Sequence, residues 1–433
     1  MSVDNLDDGG EMLEGLLAAG PPCAPDELPR LIAAHAARAG LYDAVIYLAD
    51  LQKATLRPLR GDLEVGACPD GQLGIDATLA GRAFRDAEPI EAPQCTKDDA
   101  STEEADDLPE AGYNELWVPL LDGAERLGVL RVTVRARDDA ALRRASRLAS
   151  LTSLFIVSKR ARGDNYARLV RAHRMSLAAE VQWTLMPVPA LATPEVSICG
   201  VLEPAYEVGG DAFDFALAGP IAHLSIFDAM GHDLSSSLIA SIAMGSSRNN
   251  RRRGAGLIEI SDAIDDAVGA QYDQTRFVTG VLGGLDTRTG ELTWINRGHP
   301  SPLLIRRARS VIELECPPTP PMGVGLDATP TLCRDQLEPG DRLLLYTDGI
   351  IEARDPDGEL FGLDRFTDFI IRSESASLSA PETLRRLMRA VLQHHDDELR
   401  DDATVLLAEW HPPAGDDSAD DIDTDDAGVM QAP

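Results

Sequence analysis

No two of the six cysteines, Cys23, Cys68, Cys95, Cys199, Cys316 and Cys333, stand in a C-x-x-C pair, and no histidines accompany them at zinc-like intervals. That absence argues against a structural zinc site and against a disulfide framework. The sequence also lacks any apolar run approaching the ~18 residues of a membrane span, and its first residues, MSVDNLDDGGEMLEGL, are acidic where a secretory leader is basic. A soluble, cytoplasmic protein with no membrane partner is the expectation. Positive charge is scarce: 40 Lys and Arg face 72 Asp and Glu, a formal net charge of −32. Such a chain repels nucleic acid and anionic lipid. Its one compact basic cluster, RNNRRR at 248–253, reads as a solvated loop. Much of the negative charge sits in segments without aromatic residues, such as GDDSADDIDTDDAG, which cannot offset the entropy of ordering. Residues 1–24 and 412–433 are therefore expected to be disordered acidic ends.

What is present suits more than one core, since 433 residues at 44% hydrophobic are enough for about two or three domains. Over residues 25–137 the pattern mixes helical DELPRLIAAHAARAG, strand-like DAVIYLADL and helical ATLAGRAFRDA. It ends in ELWVPLLDGAERLGVLRVTV, a hairpin turning at Asp122-Gly123. The order of LAGRAF, EPIEA and LWVPLLDGAERLGVL resembles a GAF domain, which implies an α/β sensor with a small-molecule or protein ligand; the acidic insert CTKDDASTEEADD reads as a loop.

Residues 138–187 form a helical linker with hardly a breaker except Gly163, ended by Pro187 and Pro189. Leu148, Leu151, Phe155, Tyr166, Val170, Leu177, Val181 and Leu185 fall at helical multiples. A coiled coil making a homodimer, a helix packed on its own domain, and two helices broken at Gly163 all satisfy that stripe. From 188 to 411 the chain changes to short β-prone runs with interspersed helices such as SSSLIASIAMG and APETLRRLMRAVLQHH, a layered α+β domain of largely antiparallel strands.

Four aspartates of this last segment share a setting where a strand meets a turn: Asp211 in EVGGDAFDF, Asp228 in FDAMGHD, Asp348 in LLLYTDGIIEA and Asp401 in LRDDATVLLAEW. Each alone could merely start a turn, and Asp233 or Ser235 could cap the helix that follows Asp228. Together, four converging carboxylates repel one another strongly enough to require cations. Hard oxygen donors without histidine or cysteine favour Mg²⁺ or Mn²⁺ over zinc.

The series YEVGGDAFDF, FDAMGHDLSSS, RFVTGVLGGLDTRTGELTWINRGHPSPLLI, PPMGVG, LEPGDRLLLYTDGIIEARDPDGELFG and DDATVLLAEW resembles, in order and over residues 180–411, the PPM metal-dependent serine/threonine phosphatases of the SpoIIE/RsbU type. The resemblance implies an α-β-β-α sandwich with two Mn²⁺ or Mg²⁺ ions. It implies that Asp228 bridges the metals, that the Ala229 carbonyl ligates, that Asp348 and Asp401 complete one ion, and that Asp211 serves the other. Asp402 matches a position that is often a different polar residue. A metal-activated water would attack phosphorus in line, with no covalent nucleophile. Gly209, Gly210, Gly231 and Gly349 would let backbone approach the ions, and His232 and His299 read as structural. Asp233 departs from the family's usual glycine, and LAAEVQWTLMP resembles a segment that can act as a regulatory switch. The implied substrate is a phosphoserine or phosphothreonine on a regulatory protein, of the STAS-type anti-sigma-factor antagonist class. Two rivals are a catalytically weak phosphatase-fold scaffold and, from the superficial likeness of VGGDAF to a GGDEF signature, a diguanylate cyclase.

Overall fold

The computed structural model describes residues 4–60, 71–92, 113–136, 138–207, 209–231, 233–317, 319–326, 328–395, 399 and 401–412, with side chains from residue 9 onward. The N-terminal half runs α1 (Asp4–Ala19), α2 (Leu28–Arg38), β1 (Tyr42–Ala49), β2 (Thr55–Pro58), β3 (Leu73–Gly74), α3 (Leu79–Asp86), β4 (Ile90–Glu91), β5 (Asn114–Asp122), β6 (Glu125–Val134) and α4 (Asp139–Lys159). The strands form one antiparallel sheet in the order β3-β2-β1-β6-β5-β4. Period-two alternation sorts its two faces. Ile46, Leu48, Leu116, Val118, Leu130 and Val132 point to a core shared with α1, α2 and α4. Tyr47, Ala49, Trp117 and Val129 point to the opposite face, under Ala80, Ala83 and Phe84 of α3. The β5–β6 hairpin closes with Asp122 opposite Glu125 around Gly123, whose φ of 57° suits glycine.

The N-terminus corrects one expectation. Residues 4–19 are not a disordered end but α1, because Met12 and Leu16 recur at helical spacing and are fully buried against α2 and α4. Burial of two large apolar side chains outweighs the acidic composition. Residues 413–433 lie outside the described residues, as do Cys68 and the whole acidic insert at 95–107, Cys95 included.

The linker is not one helix. α5 (Asp164–Val170) and α6 (Leu177–Leu185) follow α4, with breaks after Lys159 and again at 171–176. The expected stripe is split as a result: Val170 and Tyr166 pack on the N-terminal core, whereas Leu177 is 67% exposed. A continuous coiled-coil face through these positions does not exist.

The C-terminal half runs β7 (Ala190–Ala192), β8 (Val196–Glu203), β9 (Asp211–Ala218), β10 (Ile221–Ala229), α7 (Leu234–Arg252), α8 (Leu257–Tyr272), β11 (Val278–Asp286), β12 (Glu291–Arg297), β13 (Leu303–Arg306), β14 (Ser310–Glu313), β15 (Cys333–Gln336), β16 (Arg342–Tyr346), α9 (Asp348–Glu352), α10 (Gly362–Ser375), α11 (Ala380–His394) and β17 (Ala403–Trp410). Two antiparallel sheets result, ordered β15-β12-β11-β10-β9 and β14-β13-β16-β17-β8-β7. Leu343 and Leu345 face the core between the sheets, while Leu344 and Tyr346 face α9, α10 and α11. Phe227, Leu282 and Ile295 of the other sheet face α7 and α8. The layers are α-β-β-α.

Two further expectations change. The basic cluster at 248–253 lies in the last turns of α7 and at its C-cap, and Arg248 and Arg251 pair with the buried Asp214 at 2.6 and 2.8 Å. A buried carboxylate needs such partners, so these arginines are held rather than solvated. Cys316 and Cys333 form a disulfide, their Cα atoms 5.9 Å apart across a 17-residue separation. Chain distance hid that pairing, which depends on where β15 is laid down. Among the described residues no helix is long and apolar enough to cross a membrane.

Candidate metal centre

Asp211 opens β9 and Asp228 lies opposite it in β10, so strand register alone sets two acids side by side. From the other sheet come Asp348, in the first turn of α9 just after β16, and Asp401 and Asp402, just before β17. Neighbouring strands again supply the second group, because β16 pairs with β17. Thr347 ties the sheets together: its hydroxyl donates to Asp211 Oδ2 at 2.6 Å and accepts from Thr404 N at 2.9 Å.

The electrostatics are those of crowded acids. Burial raises the Asp211 carboxyl well above its ordinary range, and Asp402 and Asp228 push it further. Asp228 is pushed up to about 7, by burial first and then by Asp348, Asp401 and Asp402. Burial, Glu352 and Asp401 raise Asp348. The protein therefore gathers negative charge that only protons or cations can neutralise. Asp401 is exposed, at the mouth of this cluster.

Asp402 has a different task. It is 5% exposed, and its carboxylate accepts from the N–H groups of Gly209, Gly210 and Asp211 at 2.8, 2.6 and 3.1 Å. This clamps the loop before β9 onto the start of β17. Gly210 lies so close to β10 that a Cβ would sit 2.3 Å from the Ala229 carbonyl oxygen and 2.9 Å from that of Gly231. A Cβ on Gly349 would sit 1.9 Å from the Asp402 carbonyl oxygen. Gly209 presents its carbonyl to the Ser237 hydroxyl of α7.

The donor set suits a hard divalent cation: carboxylates plus the Ala229 carbonyl, with no soft ligand. As the side chains lie, no three His, Cys, Asp or Glu groups among the described residues are close enough together to enclose an ion. Asp211 is turned to Thr347 and Asp402 to the 209–211 backbone, so enclosing an ion would require side-chain rotation, drawn by the cation that relieves the crowding of like charges.

Asp233 caps α7, accepting from Ser236 N at 3.0 Å. His299 is buried between the Thr279 hydroxyl and the Tyr346 carbonyl, and burial lowers its pKa to about 4; it is a structural, neutral imidazole. His232 lies outside the described residues. Sequence reasoning missed Thr347 and the anchoring role of Asp402, although both sit beside a chosen acid. It also missed Gln182 of α6, whose side-chain amide donates to the Asp211 carbonyl.

Acids at the strand ends of a two-sheet sandwich are the arrangement that the resemblance to PPM, or PP2C, phosphatases implies. Residues 221–411, somewhat under half of the chain, match the family described as Stage II sporulation protein E (SpoIIE). Protein IcfG of Synechocystis is 24% identical over 260 residues, covering 53% of this chain and 40% of IcfG. Phosphoserine phosphatase RsbU of Bacillus subtilis is 23% identical over 234 residues, covering 54% of this chain and 69% of RsbU. The chain thus spans well under half of one curated relative and about two thirds of the other. The RsbU and RsbW domains of Rv1364c from Mycobacterium tuberculosis align with a TM-score of 0.46 at 24% identity, over 52% of this chain and 64% of that one. PP2C-type neighbours include RsbX in complex with magnesium and the catalytic domain of PstP with 2 manganese ions. They are 12% and 16% identical, cover 51% and 50% of this chain and 98% and 99% of theirs, and each has a TM-score of 0.39.

Proposed function

We propose that the chain is a metal-dependent protein phosphatase that removes phosphate from phosphoserine or phosphothreonine on a regulatory protein. The observation that carries the reading is the convergence of Asp211, Asp228, Asp348 and Asp401 at one edge of both sheets, with Asp228 pushed up to about 7 by burial and by the neighbouring acids. These acids and the Ala229 carbonyl would hold Mg²⁺ or Mn²⁺. When bound, such ions supply Lewis acidity and charge neutralisation for attack of water on phosphorus. Asp228, beside acids of both sheets, would hold metal together with Asp211, Asp348 and Asp401, and Thr347 and Asp402 orient the acid-bearing loops.

Two finer readings rest on analogy. The relative RsbU, described as a phosphoserine phosphatase, supports a partner-switching role with a STAS-type anti-sigma-factor antagonist as substrate. The six-stranded sheet with helices on both faces supports a GAF-like sensor in the N-terminal half, regulating the domain at 188–411 through the intervening helices. One observation favours the rival reading of a catalytically weak scaffold: the acids do not enclose an ion as they lie.

Hydrolysis of p-nitrophenyl phosphate and of a phosphoserine peptide by the full chain decides between them. Turnover with Mn²⁺ or Mg²⁺ that vanishes in excess chelator is the expected result. Full activity in chelator would sink the metal mechanism, and none in either condition would favour the scaffold.

A further inference from the structure

Between the N-terminal sheet and the phosphatase domain lies a cavity of about 470 Å³, within the size range of small-molecule sites. Its apolar wall includes Leu51, Val170, Trp183, Met186 and Met388, drawn from the β1–β2 turn, α5, α6 and its C-cap, and α11. None of the metal-centre aspartates lines it.

Lys53 also faces this space, from the tip of the β1–β2 turn. The turn is rigid: the Asp50 carboxylate accepts from Ala54 N at 2.8 Å and from the Thr55 hydroxyl at 2.5 Å, Leu51 N donates to Val170 O at 3.0 Å, and Lys53 itself has φ 51°. The other cations around the cavity are matched. Arg126 and Arg385 share Glu382, Arg385 also reaches Asp76, and Arg160 holds Glu125 at 2.7 Å. Glu203 accepts from Gln52 and from Ala205 N. Among the described residues no hydrogen bond or ion pair reaches the Lys53 ammonium. Burial holds its pKa below the usual lysine range, with Arg126 and Arg385 adding to that and Cys199 and Glu125 partly offsetting it. An anion would reverse that penalty.

We propose that this cavity binds one small amphipathic carboxylate, its apolar body against Trp183, Met186 and Met388 and its anionic head on Lys53. Trp183 donates its indole N–H to the Ala205 carbonyl at 2.7 Å, and its neighbour Gln182 contacts the Asp211 backbone. The ligand therefore sits one residue from a contact with the metal centre. Binding is read without turnover, so failure of the phosphatase reading leaves this proposal standing, and the reverse also holds.

The test is calorimetric titration of the full chain with decanoate and with decanol. Decanoate should bind at one per chain, and decanol about tenfold or more weakly for want of the charged head. Lys53→Met should abolish that preference, while Lys53→Arg keeps it. Quenching of indole fluorescence by 10-bromodecanoate should occur and be largely lost in Trp183→Phe, a mild change that keeps the assay informative if Lys53→Met fails to fold. Absence of saturable decanoate binding, equal affinity for decanol, an unchanged preference in Lys53→Met, or quenching that survives Trp183→Phe would each overturn the proposal.

Discussion

Asp228 and Glu203 are both carboxylates with a pKa near 7, and they are raised for different reasons. Asp228 is raised by burial and by three other acids. Its repulsion is relieved by amide substitution, so Asp228→Asn should lower phosphate-ester turnover by roughly 10²-fold or more through loss of a bridging ligand. Metal-free, the same variant should melt no lower than the parent; near-normal turnover at saturating Mn²⁺ would show that Asp228 is not the bridge. Glu203 is raised to about 7 chiefly by burial, opposed by bonds from Ala205 N and Gln52. The folded state favours its neutral form, so its contribution is complete below the unfolded pKa near 4.5 and is lost as pH climbs to about 7. At 1.36 kcal/mol per pKa unit, the loss is at most about 3 kcal/mol. Glu203→Gln keeps the acceptor oxygen without the charge. Its melting temperature should exceed the parent's at pH 8 and match it at pH 4, and a constant offset across that range would disprove the burial argument.

At the scale of elements, the candidate metal centre is a joint between two sheets. β9 and β10 bring one pair of acids, β16 and β17 the other, and the clamp of Asp402 on the 209–211 loop fixes the angle between them. Gly349 is part of that joint, since any Cβ there would meet the Asp402 carbonyl at 1.9 Å, and backbone cannot swing aside as a flexible side chain can. Gly349→Ala should therefore both destabilise the chain, by about 1–3 kcal/mol in urea unfolding, and depress turnover. A variant of parental stability and rate would mean the strand ends are looser than this packing requires. The elements themselves were largely legible: α2, α3, the β5–β6 hairpin, β10, α7 and α11 lie where spacing, caps and the Asp122-Gly123 turn place them. α1 was not, because its acidic composition masks two apolar residues whose partners lie on α2 and α4.

For the whole molecule, a largely buried ion network is among the contacts that join the two halves. Arg385 and Glu382, 2% and 3% exposed, pair at 2.8 Å, and they reach across the junction to Asp76 and Arg126. Removing Arg385 leaves Glu382 with Arg126 at 3.5 Å and the half-exposed Arg386 at 2.7 Å, but takes away its bidentate buried partner and the link to Asp76, which costs about 1.5–3 kcal/mol. Arg385→Leu should thus separate a single calorimetric melting transition into two; retention of one transition at the parental temperature would show that the network does not join the halves. Val170→Lys, placed in the N-terminal core at 6% exposure, should unfold that half rather than alter subunit number, as light scattering beside circular dichroism would reveal.

The position of the acids at strand ends and the layered character of residues 188–411 were determined by local pattern: an aspartate where a strand meets a turn reads the same in one dimension as in three. Tertiary structure alone decided which acids face each other, that Asp402 holds a loop while Asp401 stays at the exposed mouth, and that Thr347 and Gln182 touch Asp211. It also decided that the linker stripe is broken, that Cys316 meets Cys333, and that Lys53 lines a cavity with no ion pair to its ammonium among the described residues. Periodicity and turn chemistry act over a few residues and are written in the sequence. Pairing across tens or hundreds of residues depends on register and on the burial of distant apolar faces, and these exist only once the sheets have closed on one another.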